Sequence, residues 1–133
     1  MLKKFLKNDK GLTLVELLAV IVILGIIAAI AVPSIGKIID NSKDDAKVAE
    51  ALQIISAAKL AKAEDPGSNQ WVSDADGSDL SDYLSKVKDD VFTVDFVSSN
   101  NTYTITGHEA AGVLDKENTV AITEDELAAA ASK

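Results

Sequence analysis

A continuous apolar segment lies close to the start of the chain. From Leu12 to Ile35, the only polar side chains are Thr13, Glu16 and Ser34. Because a helix rises about 1.5 Å per residue, about 20 apolar residues cross the roughly 30 Å hydrocarbon core of a bilayer. A surface helix of a soluble domain has a single apolar stripe, whereas this segment is apolar all round. The sequence therefore predicts a membrane-spanning helix.

One carboxylate, Glu16, lies near the beginning of this segment. An ionised side chain in hydrocarbon is costly and usually marks a functional position. It can also reach the nearby interface with its charged end while its stem stays in the membrane. Glu16 by itself does not distinguish a functional carboxylate within the membrane from one that reaches the interface.

The residues around Glu16 form a specific pattern. A basic stretch ends at Gly11, and the letters LTLVE follow at residues 12–16. This pattern resembles the processing site of type IV prepilins and pseudopilins, in which glycine precedes a hydrophobic residue, Thr, Leu, a hydrophobic residue and Glu. Pro33 falls where that family has a proline, whereas Leu12 replaces the commoner Phe in a position that tolerates other hydrophobic residues. The resemblance covers about the first 65 residues.

The resemblance implies a processing and assembly pathway. A prepilin peptidase and methylase would cut between Gly11 and Leu12 and methylate the new amine of Leu12. The Glu16 carboxylate of one subunit would then pair with that amine on a neighbouring subunit in a helical homo-oligomer. An inner-membrane assembly platform and an assembly motor are the further partners implied, and membrane lipid surrounds the subunit before assembly.

Two residues weaken the long helix. Pro33 removes a backbone donor and clashes with the preceding turn, while Gly25 adds backbone freedom. We therefore expect a bend near Pro33 in the isolated subunit. In assembled filaments of this family, helix is often lost between these two positions, and the resemblance implies the same here.

The chain divides into four segments. Residues 1–11 form a leader that is removed, and residues 12–35 form the transmembrane and assembly half of the helix. Residues 36–64 form its amphipathic half, which ends before Pro66 because a residue preceding proline avoids helical angles. Residues 65–133 form a globular head. The predicted fold class is α+β, a long N-terminal helix packed on an antiparallel sheet of three or four strands.

The amphipathic half shows apolar residues at helical spacing. The predicted buried face consists of Val48, Ala51, Leu52, Ile55 and Ala58. Lys43, Lys47 and Glu50 lie largely away from this face. Lys59 and Lys62 are placed near the helix end, where cations interact favourably with the helix dipole.

The head begins with a predicted polar connection at residues 65–79, on which Trp71 packs against the rest of the head. A short helix is expected at residues 80–87, capped by Ser78 or Asp79. Alternating residues predict strands at 91–97 and 103–106, joined by a turn.

A third strand is predicted at residues 118–123, with Val120 and Ile122 facing inward. The tail from residue 124 onward contains helix-forming residues without a strong apolar face. It is predicted to be a short exposed helix or frayed.

The leader and the rest of the chain have net charges of opposite sign. The leader carries a net charge of +3 and the remainder −11, within a chain total of −8. The basic flank therefore stays in the cytoplasm, and the acidic head is exported. So acidic a head is not expected to bind nucleic acid directly. The chain has no cysteine, so no disulfide ties down the exported head.

The composition does not favour catalysis. His108 is the only histidine, its neighbours suggest a turn, and no glycine-rich phosphate loop or zinc-ligand spacing is present. Asp74, Asp76 and Asp79 surround a glycine, an arrangement that offers oxygens to a cation such as Ca²⁺. The alternative is a hydrated acidic loop that caps the following helix. We therefore expect no enzyme and no cofactor, with calcium at the acidic loop as the one candidate.

The predicted function is that of a structural subunit, a prepilin that polymerises into a type IV pilus-like filament at the bacterial surface. It would span the cytoplasmic membrane once, with its N-terminus inside and its head outside, and would then enter the extracellular filament. One alternative is a pseudopilin of a type II secretion or competence DNA-uptake machine. Another is a signal-anchored binding domain that does not assemble.

Overall fold

A computed structural model describes residues 2–74, 77–85, 87 and 91–133, with the side chains of residues 2–11, 77 and 78 outside the description. The chain forms two compact units, Met1–Asn41 and Ser42–Lys133. Helix α1, Leu2–Glu64, begins in the first unit and ends in the second.

The first unit consists of the N-terminal part of α1. Its described side chains from Leu12 to Asn41 are exposed, apart from a half-buried Ala31. The described residues contain one helix that is long and apolar enough to cross a membrane, and none of its apolar window is buried. A helix with this composition is stable in lipid because all its backbone hydrogen bonds are made within the segment.

Helix α1 ends where the sequence predicts. The backbone N–H of Asp65 donates to the Ala61 carbonyl at 2.9 Å, and Pro66 then prevents the helix from continuing. Asp65 also accepts hydrogen bonds from the Gly67 N–H and the Ser68 hydroxyl. These hydrogen bonds lower the pKa of the Asp65 carboxyl, that from Ser68 having the largest effect.

Lys62 ties the end of α1 to the turn that follows it. Its Nζ donates to the carbonyl oxygens of Pro66 and Ser68, at 3.2 and 3.0 Å, and to Oδ1 of Asn69 at 2.9 Å. The same ammonium lies 4.4 Å from the centre of the Phe96 ring. Lys62 therefore makes specific contacts beyond the general interaction with the helix dipole that its position predicts.

The second unit contains one antiparallel sheet in the order β2-β1-β3-β4-β5. Its strands are β1 Gln70–Asp74, β2 Gly77–Ser78, β3 Phe92–Val97, β4 Thr102–Thr106 and β5 Ile122–Thr123. Three strands have five or six residues, and the two edge strands have two each. The α+β fold class with an antiparallel sheet is confirmed, and the sheet has five strands where three or four were predicted, because two short edge strands extend it.

Strands β3 and β4 form the predicted hairpin. Phe96 pairs with Tyr103 and Val94 with Ile105, which places the apolar side chains of both strands on the same face. The turn includes Asn101 with a positive φ of 54°, a conformation that asparagine tolerates better than most residues. The predicted strands and turn are therefore confirmed here.

The remaining head elements differ from the sequence expectations. Residues 65–79, predicted as a polar connection, contain β1 and β2. Residues 80–87 form no helix in their described part, where the N–H groups of Tyr83 and Leu84 donate to the Leu80 carbonyl in a single turn. The third strand is only two residues long, because residues 118–120 make a turn instead. Ile122 is buried as expected, whereas Val120 is 42% exposed and does not face inward.

Two short helices complete the head, α2 Ala110–Val113 and α3 Glu124–Ala131. Alternation in β1 buries Trp71, which confirms that this residue packs into the head. The core is built from α1, the inner face of the sheet, Leu80, two alanines of α2 and Leu127 of α3. Of the predicted α1 face, Val48, Ala51, Ile55 and Ala58 are buried and Leu52 is partly buried.

Candidate functional site

The segment that the sequence assigns to processing and assembly, residues 11–16, lies within α1. Leu12 and Glu16 are four residues apart and therefore lie on the same helix face. Both side chains are exposed, Leu12 by 56%. The structure thus leaves the predicted pairing residues accessible to a neighbouring molecule.

Glu16 has no ion-pair partner within the part of the chain that the structure describes. A cut after Gly11 would make Leu12 the first residue of the helix and leave Glu16 close to a new amine. Negative charge is favourable near a helix N-terminus. Inside an apolar assembly, a carboxylate such as Glu16 requires a cationic partner.

Gly25 has no packing role within a single subunit. A Cβ added there would meet no atom within 4 Å. Glycine in a helix interior costs about 1 kcal/mol relative to alanine. Packing within a single subunit therefore does not require glycine at position 25.

Pro33 lies inside α1, and helix is present on both sides of it. The stretch between Gly25 and Pro33 is helical in this single subunit. The bend near Pro33 and the loss of helix in a filament both stay predictions.

The acidic loop predicted around Asp74 and Asp79 includes the end of β1 and the whole of β2. Asp74 pairs with Gly77 across this hairpin, and the carboxylate Oδ2 of Asp79 accepts from the Val72 N–H at 2.9 Å. The N–H of Asp79 donates in turn to the Val72 carbonyl at 3.1 Å, so Asp79 fastens the hairpin and does not cap a helix. Asp76 lies outside the described residues. Among those described, no group of three or more acidic or histidine side chains is placed to hold a metal ion.

His108 is buried, and its ring makes contacts within the head. Its ring is 1% exposed, Nδ1 accepts from the Ala110 N–H at 3.1 Å, and Nε2 lies 3.4 Å from Oε1 of Glu50. An accepting Nδ1 places the proton of the neutral ring on Nε2, which then donates toward Glu50. His108 therefore joins α1 to the start of α2. Sequence periodicity placed Glu50 away from the buried face and did not reveal this contact.

A capping box and ion pairs, and no disulfide, hold the C-terminal helix α3 in place. Thr123 and Glu126 form a capping box, in which each side chain accepts from the other residue's backbone N–H. Lys116 Nζ donates to Glu126 Oε1 at 2.5 Å, and Lys59 forms an ion pair with Glu124. The Lys116 hydrogen bond is the main reason that the pKa of Glu126 is lowered. The Thr-x-x-Glu spacing is a known helix-start signal and could have identified this cap in the sequence.

Comparison with known proteins agrees with the N-terminal pattern. The family described as the prokaryotic N-terminal methylation motif matches residues 6–32. No curated protein and no solved structure matches the chain. The match covers the predicted cleavage site, Glu16 and most of the apolar segment. The N-terminal part of the chain therefore carries the signature motif of type IV prepilins and pseudopilins, on a helix long and apolar enough to cross a membrane.

Proposed function

We propose that this protein is a prepilin that is cut between Gly11 and Leu12, methylated on Leu12 and assembled into a type IV pilus-like filament at the cell surface. The observation that carries the proposal is the exposed apolar part of α1 with a single carboxylate at its start. A surface of this kind is stable only in lipid or against other apolar surfaces.

The single carboxylate on the apolar helix also accounts for how the proposed assembly selects one axial register between neighbouring subunits. Leaving lipid for a bundle of helices brings little hydrophobic gain, since lipid tails are as apolar as the helices. A charged carboxylate without a partner in such a bundle costs several kcal/mol. Pairing Glu16 with the Leu12 amine of the next subunit removes this cost in only one axial position.

Repetition of that single contact gives an open helical assembly, because the two surfaces that meet lie on different parts of the subunit. Once the filament leaves the membrane, the apolar segments are held together by their exclusion from water. Cohesion then requires no covalent link between subunits. The acidic heads remain attached to their helices and form the outer part of the filament.

Glu16→Leu tests this proposal, with Ser34→Leu as the matched control. Both changes make the apolar segment more apolar and should preserve membrane insertion. We expect Ser34→Leu to assemble normally and Glu16→Leu to accumulate in the membrane with few filaments. The measurement is the amount of this protein in sheared surface fibres, seen by electron microscopy and immunoblotting. Assembly of Glu16→Leu at the wild-type rate would show that Glu16 is only an interfacial carboxylate.

Fibre length separates this proposal from the related one. A pseudopilin of a secretion or DNA-uptake machine has the same N-terminal motif but forms a short structure within the envelope. Long sheared fibres containing this protein support the pilus. Protein confined to the envelope supports the pseudopilin, and a subunit that never polymerises supports a signal-anchored binding domain.

A further inference from the structure

The end of the chain forms a C-terminal strap, defined as residues 122–131, which comprises β5 and α3. Leu127 is the buried apolar anchor of α3, with 0% of its surface exposed, and Ala130 packs partly against the core. An eight-residue helix is too short to be stable alone. The strap therefore depends on its fastening to the rest of the head.

A capping box shapes the beginning of α3. Within the capping box, the Thr123 N–H donates to Glu126 Oε2 at 3.0 Å, and the Glu126 N–H donates to Thr123 Oγ1 at 3.3 Å. These contacts are made inside the strap, so they shape α3 without holding it to another element.

Two ion pairs connect the strap to other parts of the head. Lys59 of α1 pairs with Glu124, and Lys116 after α2 pairs with Glu126. Lys59 also lies 5.6 Å from the centre of the Tyr103 ring, whose pKa is raised chiefly by burial, with Glu124 contributing. Among the described residues, the charged and titratable groups that face the two glutamates from other elements are thus Lys59, Lys116 and Tyr103.

Acids occupy three successive positions at the start of α3, namely Glu124, Asp125 and Glu126. The two lysines neutralise the outer members of this run, while Asp125 is exposed. Removing either lysine contact takes away one connection between the strap and another element of the head.

We propose that the C-terminal strap is an electrostatic latch that opens locally, by acid or by high salt, while the rest of the head stays folded. Opening withdraws Leu127 from the core and uncovers the apolar inner side of β4, against which α3 packs. The latch acts whether or not the subunit assembles.

The direction of the acid effect follows from Glu126. Its pKa is lowered in the folded state, so its contribution is fully present above the ordinary glutamate pKa. The contribution is lost as the pH falls through the lowered value. Salt weakens the same contacts by screening, since the carboxylate side chain of Glu126 is 41% exposed.

Hydrogen exchange measured by mass spectrometry on the full chain in detergent micelles tests the latch. Glu126→Gln replaces the carboxylate with an amide whose oxygen can still accept in the capping box, so the charge is removed while the cap is kept. Asp125→Asn is the control, because it removes a charge from the same turn without removing an ion pair to another element. At pH 7 we expect amides of the strap to exchange about three- to fivefold faster in Glu126→Gln, and less than twofold faster in the control.

Two further measurements complete the test. Lys116→Met should reproduce the effect of Glu126→Gln, and the double variant should be no faster than either single one, because both remove the same contact. High salt should accelerate the wild-type strap and change Glu126→Gln less. Wild-type exchange in Glu126→Gln would overturn the proposal. Equal acceleration of β3 and β4 would also overturn it, since the strap would then open only with the whole head.

Discussion

Replacing Ile54 with alanine should destabilise the head strongly. Ile54 lies on α1 with 0% of its surface exposed. The substitution removes three carbon atoms, which at about 0.8 kcal/mol each corresponds to about 2.4 kcal/mol of lost burial. A residual cavity of about 40 Å³ adds about 1 kcal/mol. The α1 neighbours Ala51, Ala57 and Ala58 are too small to fill this space, so we expect a total of about 3.5 kcal/mol.

Trp71 provides the assay. It is the only tryptophan in the chain and is 4% exposed, so its fluorescence reports unfolding of the head. Urea titration of the full chain in micelles gives the free energy of unfolding, and a thermal scan should show a decrease of about 15–25 °C. Leu60→Ala on the same helix is the control, because Leu60 is 59% exposed and should change stability by about 0.5 kcal/mol or less. Equal effects of the two substitutions would refute the assignment of the α1 face that packs on the sheet.

Three other predictions concern processing, pH and calcium. Gly11→Val should leave the leader attached and block assembly, because a branched side chain keeps the peptidase from the backbone; the mass of the mature protein shows the result. Asp65 and Glu126 have lowered pKa values, so head stability, measured by urea titration, should be constant above the ordinary carboxyl pKa and decrease as the pH falls below it. If the acidic loop binds calcium, the melting temperature of the protein should be higher in millimolar calcium than in chelator, and Asp76→Ala should remove this difference. Equal melting temperatures in the two solutions would indicate a hydrated loop that binds no calcium.

Local sequence was sufficient for the features that depend on neighbouring residues. The apolar run after Gly11 predicts a membrane helix from composition alone, and the pattern at residues 11–16 identified the candidate site. Pro66 stops α1, and alternation between Phe92 and Val97 predicts β3 and the side of it that is buried. These properties depend on a few consecutive residues, so no knowledge of the fold is required.

Prediction failed where a segment depends on distant residues. Strand β1 resembles a loop because polar residues and Pro66 precede it, and it becomes a strand by pairing with β3. Residues 80–87 have helical spacing, yet Leu80 is buried in the core and the described part of this segment makes only one turn. Pairing and burial in these segments outweigh local preference.

The contacts that hold the head together were decided by the tertiary structure. Glu50 and His108 are 58 residues apart in the chain, and Lys59 and Glu124 are 65 residues apart. No local pattern indicates which lysine pairs with which carboxylate. Each of these side chains is a polar residue in its own segment, and its partner lies far away in the sequence. The sequence by itself therefore determined the long apolar helix and the N-terminal methylation motif, because both are local. Only folding brought α1, the sheet and α3 together, because their contacts join residues that chain order keeps apart.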